Sequence, residues 1–281
     1  MKYFIVPFFF ILFIGCKNKS IELQEDKIYS RHLQRQVTLS IINTPIPDNK
    51  ESLNLLLLND GQDIKALRLN EIIDSLYKLN RIQPLLVVAI HAGDRMLEYG
   101  ISGKPDYENK GNRAALYNAF VDKELYSFIK KKAGVQKFKS VTVAGWSLGG
   151  LSAFDIAWNN ADKIDRVGIF SGSFWWRDKD AKDSTYSDEK NRIVFATIKA
   201  SRRKPSTKYW FFTGSLEETS DRDKDGIIDV QDDTEDIRLL LMEKGLARKE
   251  EIPLVIDRLG KHDLNTWSRQ FPEFLIWACG K

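Results

Sequence analysis

The chain has 281 residues, 43% of them hydrophobic, and a formal net charge of +4. That length supports one domain with a sizeable core, and the excess of base is too mild and too dispersed for a nucleic-acid-binding protein. Basic runs such as Lys130-Lys131-Lys132 and Arg202-Arg203-Lys204 read as solvated helix ends.

Residues 1–15 stand outside the fold. Lys2 precedes an apolar run from Tyr3 to Ile14, about a dozen residues, where a membrane-spanning helix needs roughly 20. It suits the apolar segment of a secretion signal. Phe13-Ile14-Gly15-Cys16 then resembles the end of a bacterial lipoprotein signal, although Phe13 stands where leucine is commoner. The resemblance implies that Cys16 is lipidated and that the protein sits in the cell envelope, anchored to a bacterial membrane. Cys279 is the other cysteine and would then have no disulfide partner. Residues 16–28 read as a polar tether and 29–281 as the folded domain.

Strands are expected at 36–43, 53–58, 85–90, 140–144, 166–170, 208–212 and 252–257, where apolar or β-branched runs are bounded by turn residues. The run 85–90 (LLVVAI) is continuously apolar, as in a strand buried on both faces. Helices are expected at 70–79, 116–132, 149–159, 234–244 and 265–278. Such strand–helix alternation predicts an α/β fold with a mostly parallel central sheet and helices on both faces. The two strands in direct succession at 36–43 and 53–58 suggest an antiparallel start. Residues 177–192 are polar and read as a surface loop or lid. Trp175 and Trp176 just before it could stack on a sugar ring or an aromatic acyl group, or one could be core and the other a pocket wall.

Gly145-Trp146-Ser147-Leu148-Gly149-Gly150 follows a buried strand and opens a helix. A G-x-S-x-G in that setting is a nucleophile elbow, with Ser147 on a strained turn and glycines letting strand and helix approach. The Leu148 amide, at the helix start, is one expected oxyanion donor. A second is expected from Gln62, because Gly61 permits an unusual turn just past the strand 53–58, although Asp-Gly after a strand is also an ordinary turn. Three histidines are present: His32, His91 and His262. His262 lies between the last strand and the last helix, where the base of such hydrolases falls. His91 precedes the serine and reads as a loop-packing or pocket-wall residue, and His32 as a surface residue.

Asp221-Arg222-Asp223-Lys224-Asp225-Gly226-Ile227-Ile228-Asp229-Val230-Gln231-Asp232 fits a calcium loop. The carboxylates of Asp221, Asp223, Asp225, Asp229 and Asp232 and the carbonyl of Ile227 would hold one Ca²⁺, with Gly226 at the sharp turn. Its position-12 aspartate resembles dockerin-type loops. The expected role is structural; no organic cofactor is expected.

The motifs Leu57-Leu58-Asn59-Asp60-Gly61-Gln62, Arg95-Met96-Leu97-Glu98-Tyr99, the elbow, Ser171-Gly172-Ser173-Phe174-Trp175-Trp176 and His262-Asp263-Leu264-Asn265-Thr266-Trp267 resemble one esterase family of α/β hydrolases. It contains S-formylglutathione hydrolase (esterase D), enterochelin esterase, feruloyl and acetylxylan esterases and the antigen 85 mycolyltransferases. The resemblance covers about residues 35–280. It implies an α/β-hydrolase fold, an oxyanion hole of the Gln62 and Leu148 amides, and a triad acid three residues past a strand and glycine. That position is Glu217, with Glu218 as the alternative. The implied activity is carboxylic ester hydrolysis by Ser147, His262 and Glu217, on a small-molecule or glycan ester such as an acylated carbohydrate or siderophore-like compound. An acyltransferase on the same triad and a catalytically silent binding protein are the alternatives.

Overall fold

The computed structural model describes residues 21–203 and 205–281. The signal segment 1–15 and Cys16 lie outside the described residues. Along the chain run strands β1 (Leu23–Ser30), β2 (Arg35–Asn43), β3 (Asn54–Asn59) and β4 (Leu85–Ile90), with α1 (Leu69–Lys78) between the last two. After β4 come α2 (Arg95–Glu98), α3 (Ala114–Ala119) and α4 (Tyr126–Ala133), then β5 (Val141–Trp146), α5 (Leu148–Asn159) and β6 (Arg166–Phe170). The chain closes with α6 (Asp188–Asn191), α7 (Ile193–Ala200), β7 (Lys208–Gly214), α8 (Asp229–Glu243), β8 (Leu254–Asp257) and α9 (Leu264–Cys279).

All these strands join one sheet in the order β1-β2-β4-β3-β5-β6-β7-β8. β2 is antiparallel to β1 and β4, and every later pairing is parallel. The antiparallel start therefore exists, but β2 and β3 are not neighbours, because β4 lies between them. From β3 the chain moves to β4 on one side, and from β5 it moves to β6 on the other. The crevice at the carboxyl ends of β3 and β5 is thus the topological switch point, where ligands bind in open α/β sheets.

The sheet is covered on both faces, and the period-2 alternation of its strands feeds two cores. Leu55 and Leu57 of β3 pack in one with Leu151 and Phe154 of α5. Leu56 and Leu58 pack in the other with Ile73 of α1 and Phe271, Phe274 and Leu275 of α9. β4 is buried along its whole length, as its unbroken apolar run requires.

Helices α2, α6 and α7 were not anticipated from the sequence, and three further elements differ from its reading. The tether 16–28 overlaps β1, so the sheet begins at Leu23 rather than after residue 28. β1 is an edge strand, LQEDKIYS, held by backbone pairing with β2; charged residues suit an edge and leave little apolar signal. The helix 116–132 is two helices joined by a π turn, Phe120–Leu125, whose wider winding buries Phe120, Val121 and Leu125 together. α8 begins at Asp229, five residues before the expected 234, because carboxylates such as Asp229 and Asp232 are favourable in a helix's first turn. The polar stretch 177–192 is closed at its base by the Arg177–Arg192 bridge. Buried Arg192 ties that base to Asp233 and Asp236 of α8, each at 2.7 Å.

Candidate active site

β5 delivers Ser147 at φ 54°, ψ −129°, and α5 starts at the next residue. A positive φ at a residue with a Cβ is strained by about 1–3 kcal/mol and persists only where neighbours over-determine it. Here they do. The Ser147 N–H donates to the Phe170 carbonyl at 2.9 Å, and the Ser147 carbonyl accepts from Gly150, Leu151 and Ser173 amides at 3.0, 3.1 and 3.2 Å. Gly145 is required on the strand side, since a Cβ there would stand 2.4 Å from the Gly149 carbonyl oxygen.

The turns after β7 and β8 meet the elbow from the other side. A Cβ on Gly214 would lie 2.4 Å from the Gly260 carbonyl oxygen, so the turns touch backbone to backbone. The Ser215 and Leu216 amides donate across this contact to the Asp257 and Gly260 carbonyls, both at 2.9 Å. Glu217 is carried inward with a side chain 1% exposed, and its Oε2 lies 2.7 Å from His262 Nδ1. The other oxygen, Oε1, accepts from Ser171 Oγ at 2.5 Å and from the Gly214 amide. Ser171 Oγ in turn accepts from the Trp267 indole N–H at 2.9 Å, and the His262 ring meets Trp267 edge-on at 5.0 Å. Ser171 and Trp267 received no role from the sequence. The available signal was that Ser171 directly follows β6 at the carboxyl edge of the sheet.

Glu218 turns away from the histidine contact. Its Oε1 accepts from the Val230 amide at 2.7 Å, in the first turn of α8. Burial pushes its carboxyl up; the Val230 hydrogen bond opposes this, and Asp229, Asp233 and Glu217 add to the rise.

Ser147, Glu217, Glu218 and His262 line one cavity of about 250 Å³ with Ser171, Ser173, Trp175 and Val230. Trp175 is its aromatic wall. Trp176 is fully buried core, its indole N–H on the Lys104 carbonyl at 3.3 Å. Leu148 adjoins Ser147 as the first residue of α5, where amides have no helical acceptor. Gln62 does not line this cavity; it sits in a 3₁₀ turn, Gly61–Asp63, at the end of β3. β3 pairs directly with β5, so this turn flanks the elbow across the switch point.

A polar strut joins the two. Asp60 is 1% exposed and left-handed at φ 59°. Its carboxylate accepts from Arg95 Nε at 3.0 Å and Nη2 at 3.2 Å, and from Gln62 Nε2 at 3.1 Å. Arg95 Nη2 also reaches the Trp146 carbonyl, one residue before Ser147, at 3.4 Å. Neither Asp60 nor Arg95 was singled out as a functional residue from the sequence, although both fall in its motifs. His91 packs against the Gly61–Asp63 turn, where a Cβ on Gly61 would stand 2.9 Å from its ring, and its Nε2 pairs with Ser40 Oγ of β2 at 2.8 Å. His32 is half-buried.

Of the expected calcium ligands, Asp221, Asp223 and Asp225 converge, with one oxygen of each within 4.8 Å of the others. Asp221 Oδ1 is buried with no hydrogen-bond partner among the described residues. Burial, then the charges of Asp225 and Asp223, push the Asp232 carboxyl up to about 6. Asp229 is not in the convergent group. Its carboxylate is held by Arg222, through the backbone amide at 2.8 Å and the guanidinium at 3.2 Å. The Ile227 amide donates to Asp225 Oδ1 at 2.8 Å.

A mostly parallel sheet, a serine elbow and a histidine before the last helix define the α/β-hydrolase class. The chain belongs to the Putative esterase family, whose model matches residues 30–278. Among solved structures it is similar to the enterobactin esterase of Shigella flexneri, at 21% identity and TM-score 0.71 over 92% of this chain; it spans 60% of that protein. A ferulic acid esterase aligns at 17% identity and TM-score 0.68, covering 93% of this chain and 98% of its own. An IroE-like serine hydrolase of Shewanella oneidensis aligns at 16% and 0.64, covering 91% and 79%. At these identities the likeness is one of fold. No curated protein matches the chain.

Proposed function

We propose that the protein cleaves carboxylic esters through an acyl-enzyme on Ser147. The observation that carries this reading is the 2.7 Å contact of His262 Nδ1 with buried Glu217, in the cavity that Ser147 lines. Glu217 holds the Nδ1–H tautomer, which leaves Nε2 free to take the Ser147 proton. The serine oxygen adds to the carbonyl, and the Leu148 and Gln62 amides stabilise the oxyanion. His262 then protonates the leaving alcohol, and water attacks the acyl-enzyme by the same route. The substrate is an acylated carbohydrate or siderophore-like ester, a reading supported by the enterobactin and ferulic acid esterases of the same fold.

A fluorophosphonate probe should label wild type on Ser147 alone, and Ser147→Ala not at all. Unchanged labelling of that variant would remove Ser147 from the mechanism. The same label locates the protein. With Cys16 as a lipid anchor, the labelled band is expected in the membrane fraction of cells, and Cys16→Ser in the soluble fraction or unprocessed. Unmodified, cleaved wild type among soluble proteins argues for plain secretion.

We also propose that the loop beside Glu217 takes one Ca²⁺. Asp221, Asp223 and Asp225 supply the convergent oxygens, with Asp232 beside them; the orphaned Asp221 oxygen supports the fit. Asp229 could join only by leaving Arg222. Glu217 lies four residues before Asp221, so the ion would steady the segment carrying the acid. Calcium at a hundredfold above its Kd should stabilise the fold by about 2.7 kcal/mol. Chelation is expected to lower Tm and esterase activity together, and Asp223→Ala with Asp225→Ala to abolish the calcium response. Equal Tm with chelator and with millimolar calcium would leave only a solvated acidic turn.

A further inference from the structure

The cavity beside Ser147 carries a charge that the ester chemistry does not use. Its lining includes two carboxylates, Glu217 and Glu218, and no lysine or arginine. Glu217 is committed to His262. Glu218 is fixed in the wall by the Val230 amide at the first turn of α8, where a helix's positive end favours a carboxylate. The charged groups acting most strongly on Glu218 are Asp229, Asp233 and Glu217, all of its own sign. Arg222 pairs with Asp188, Asp229 and Asp233, and Arg192 with Asp233 and Asp236. Elsewhere in the lining Trp175 is the large apolar surface and Ser173 offers a hydroxyl. An aromatic face beside a fixed carboxylate suits a sugar ring, whose C–H face stacks while its hydroxyls donate.

We infer that Glu218 sets the substrate class: it admits uncharged, hydroxyl-bearing acyl esters of the carbohydrate kind and rejects anionic esters. This inference rests on Ser147 as the nucleophile and narrows the substrate of that same site. Of the two classes proposed above, it selects the acylated carbohydrate over a polyanionic metal-loaded siderophore. Rejection comes from like charge in a partly desolvated cleft. Unit charges about 10 Å apart at an effective dielectric near 20 repel enough for roughly a tenfold discrimination.

The test compares an acetylated methyl glucoside with the matching acetylated methyl glucuronoside, which differ by one carboxylate. The measurement is kcat/KM at fixed calcium for wild type and Glu218→Gln. Glutamine keeps a carbonyl oxygen for the Val230 amide, so the α8 cap survives and Tm should not move. Wild type is expected to favour the neutral ester by at least about tenfold, and Glu218→Gln to reduce that preference several-fold by raising the rate on the anionic ester, the Glu217 carboxylate remaining in the lining. Wild type that treats both esters alike, or an unchanged ratio in a stably folded Glu218→Gln, overturns the inference while leaving the esterase reading intact. Fluorophosphonate labelling separates the two failures. A wild type that neither labels nor turns over either ester brings down the nucleophile assignment and this inference with it.

Discussion

Glu217→Gln is expected to lower kcat about ten-thousandfold with little change in KM, the loss that follows when a histidine base is held in the wrong tautomer. The surrounding donors decide how the new amide sits. Trp267 donates into Ser171 Oγ, so the Ser171 proton is directed at Glu217 Oε1, where the Gly214 amide also donates. Two donors at that position hold the glutamine carbonyl there. Its NH₂ must then face His262 Nδ1, which becomes an acceptor and carries its proton on Nε2, where it cannot take one from Ser147. Steady-state kinetics on an aryl ester, with Tm as the folding control, measure this. Glu218→Gln is the companion variant and should retain nearly full kcat on the same aryl ester, which brings no sugar hydroxyl to residue 218. A Glu217→Gln enzyme within tenfold of wild type would remove Glu217 from the triad. Collapse in Glu218→Gln instead would transfer the role to its neighbour.

Arg95→Met should destabilise the protein by about 3 kcal/mol, the lower end of what stranding one partner of a buried ion pair costs. The lower end applies because Arg95 is 32% exposed, which gives water a route to the Asp60 carboxylate. For a domain of this size that is a fall in Tm of roughly 6–12 °C. Asp60→Asn in the same chain should recover much of the loss, since a neutral amide costs less to bury and can still accept from Gln62. Activity should fall further than stability explains, because the pair ties the turn carrying Gln62 to the strand carrying Ser147. A kcat loss of about tenfold to a hundredfold at temperatures where the variant is fully folded is the expected mark, somewhat less than outright removal of an oxyanion donor. Loss of stability with unaltered kcat would confine the strut to a structural role.

Several features were readable from local sequence alone. The elbow is contiguous: an apolar strand, a serine between glycines and a helix start can be recognised without knowing what packs around them. The strands β4 and β6 were equally plain, their bounds coinciding with the expected 85–90 and 166–170, the first an unbroken apolar run. His262 was placed by its position between the last strand and the last helix. The choice between Glu217 and Glu218 could not be made that way, because adjacent carboxylates differ only in direction. Backbone contact between Gly214 and Gly260 turns one toward His262 and leaves the other on α8. β1 was invisible for a related reason, since its stability comes from pairing with β2 and its exposed edge tolerates charge. The Asp60–Arg95 strut and the Ser171–Trp267 relay join residues 35 and 96 positions apart. Local residue chemistry determined the serine elbow and the class of fold. The direction of Glu217, the donors that orient it and the carboxylates of the pocket were decided only when distant strand ends met at one edge of the sheet, because hydrogen bonds and burial depend on proximity in space.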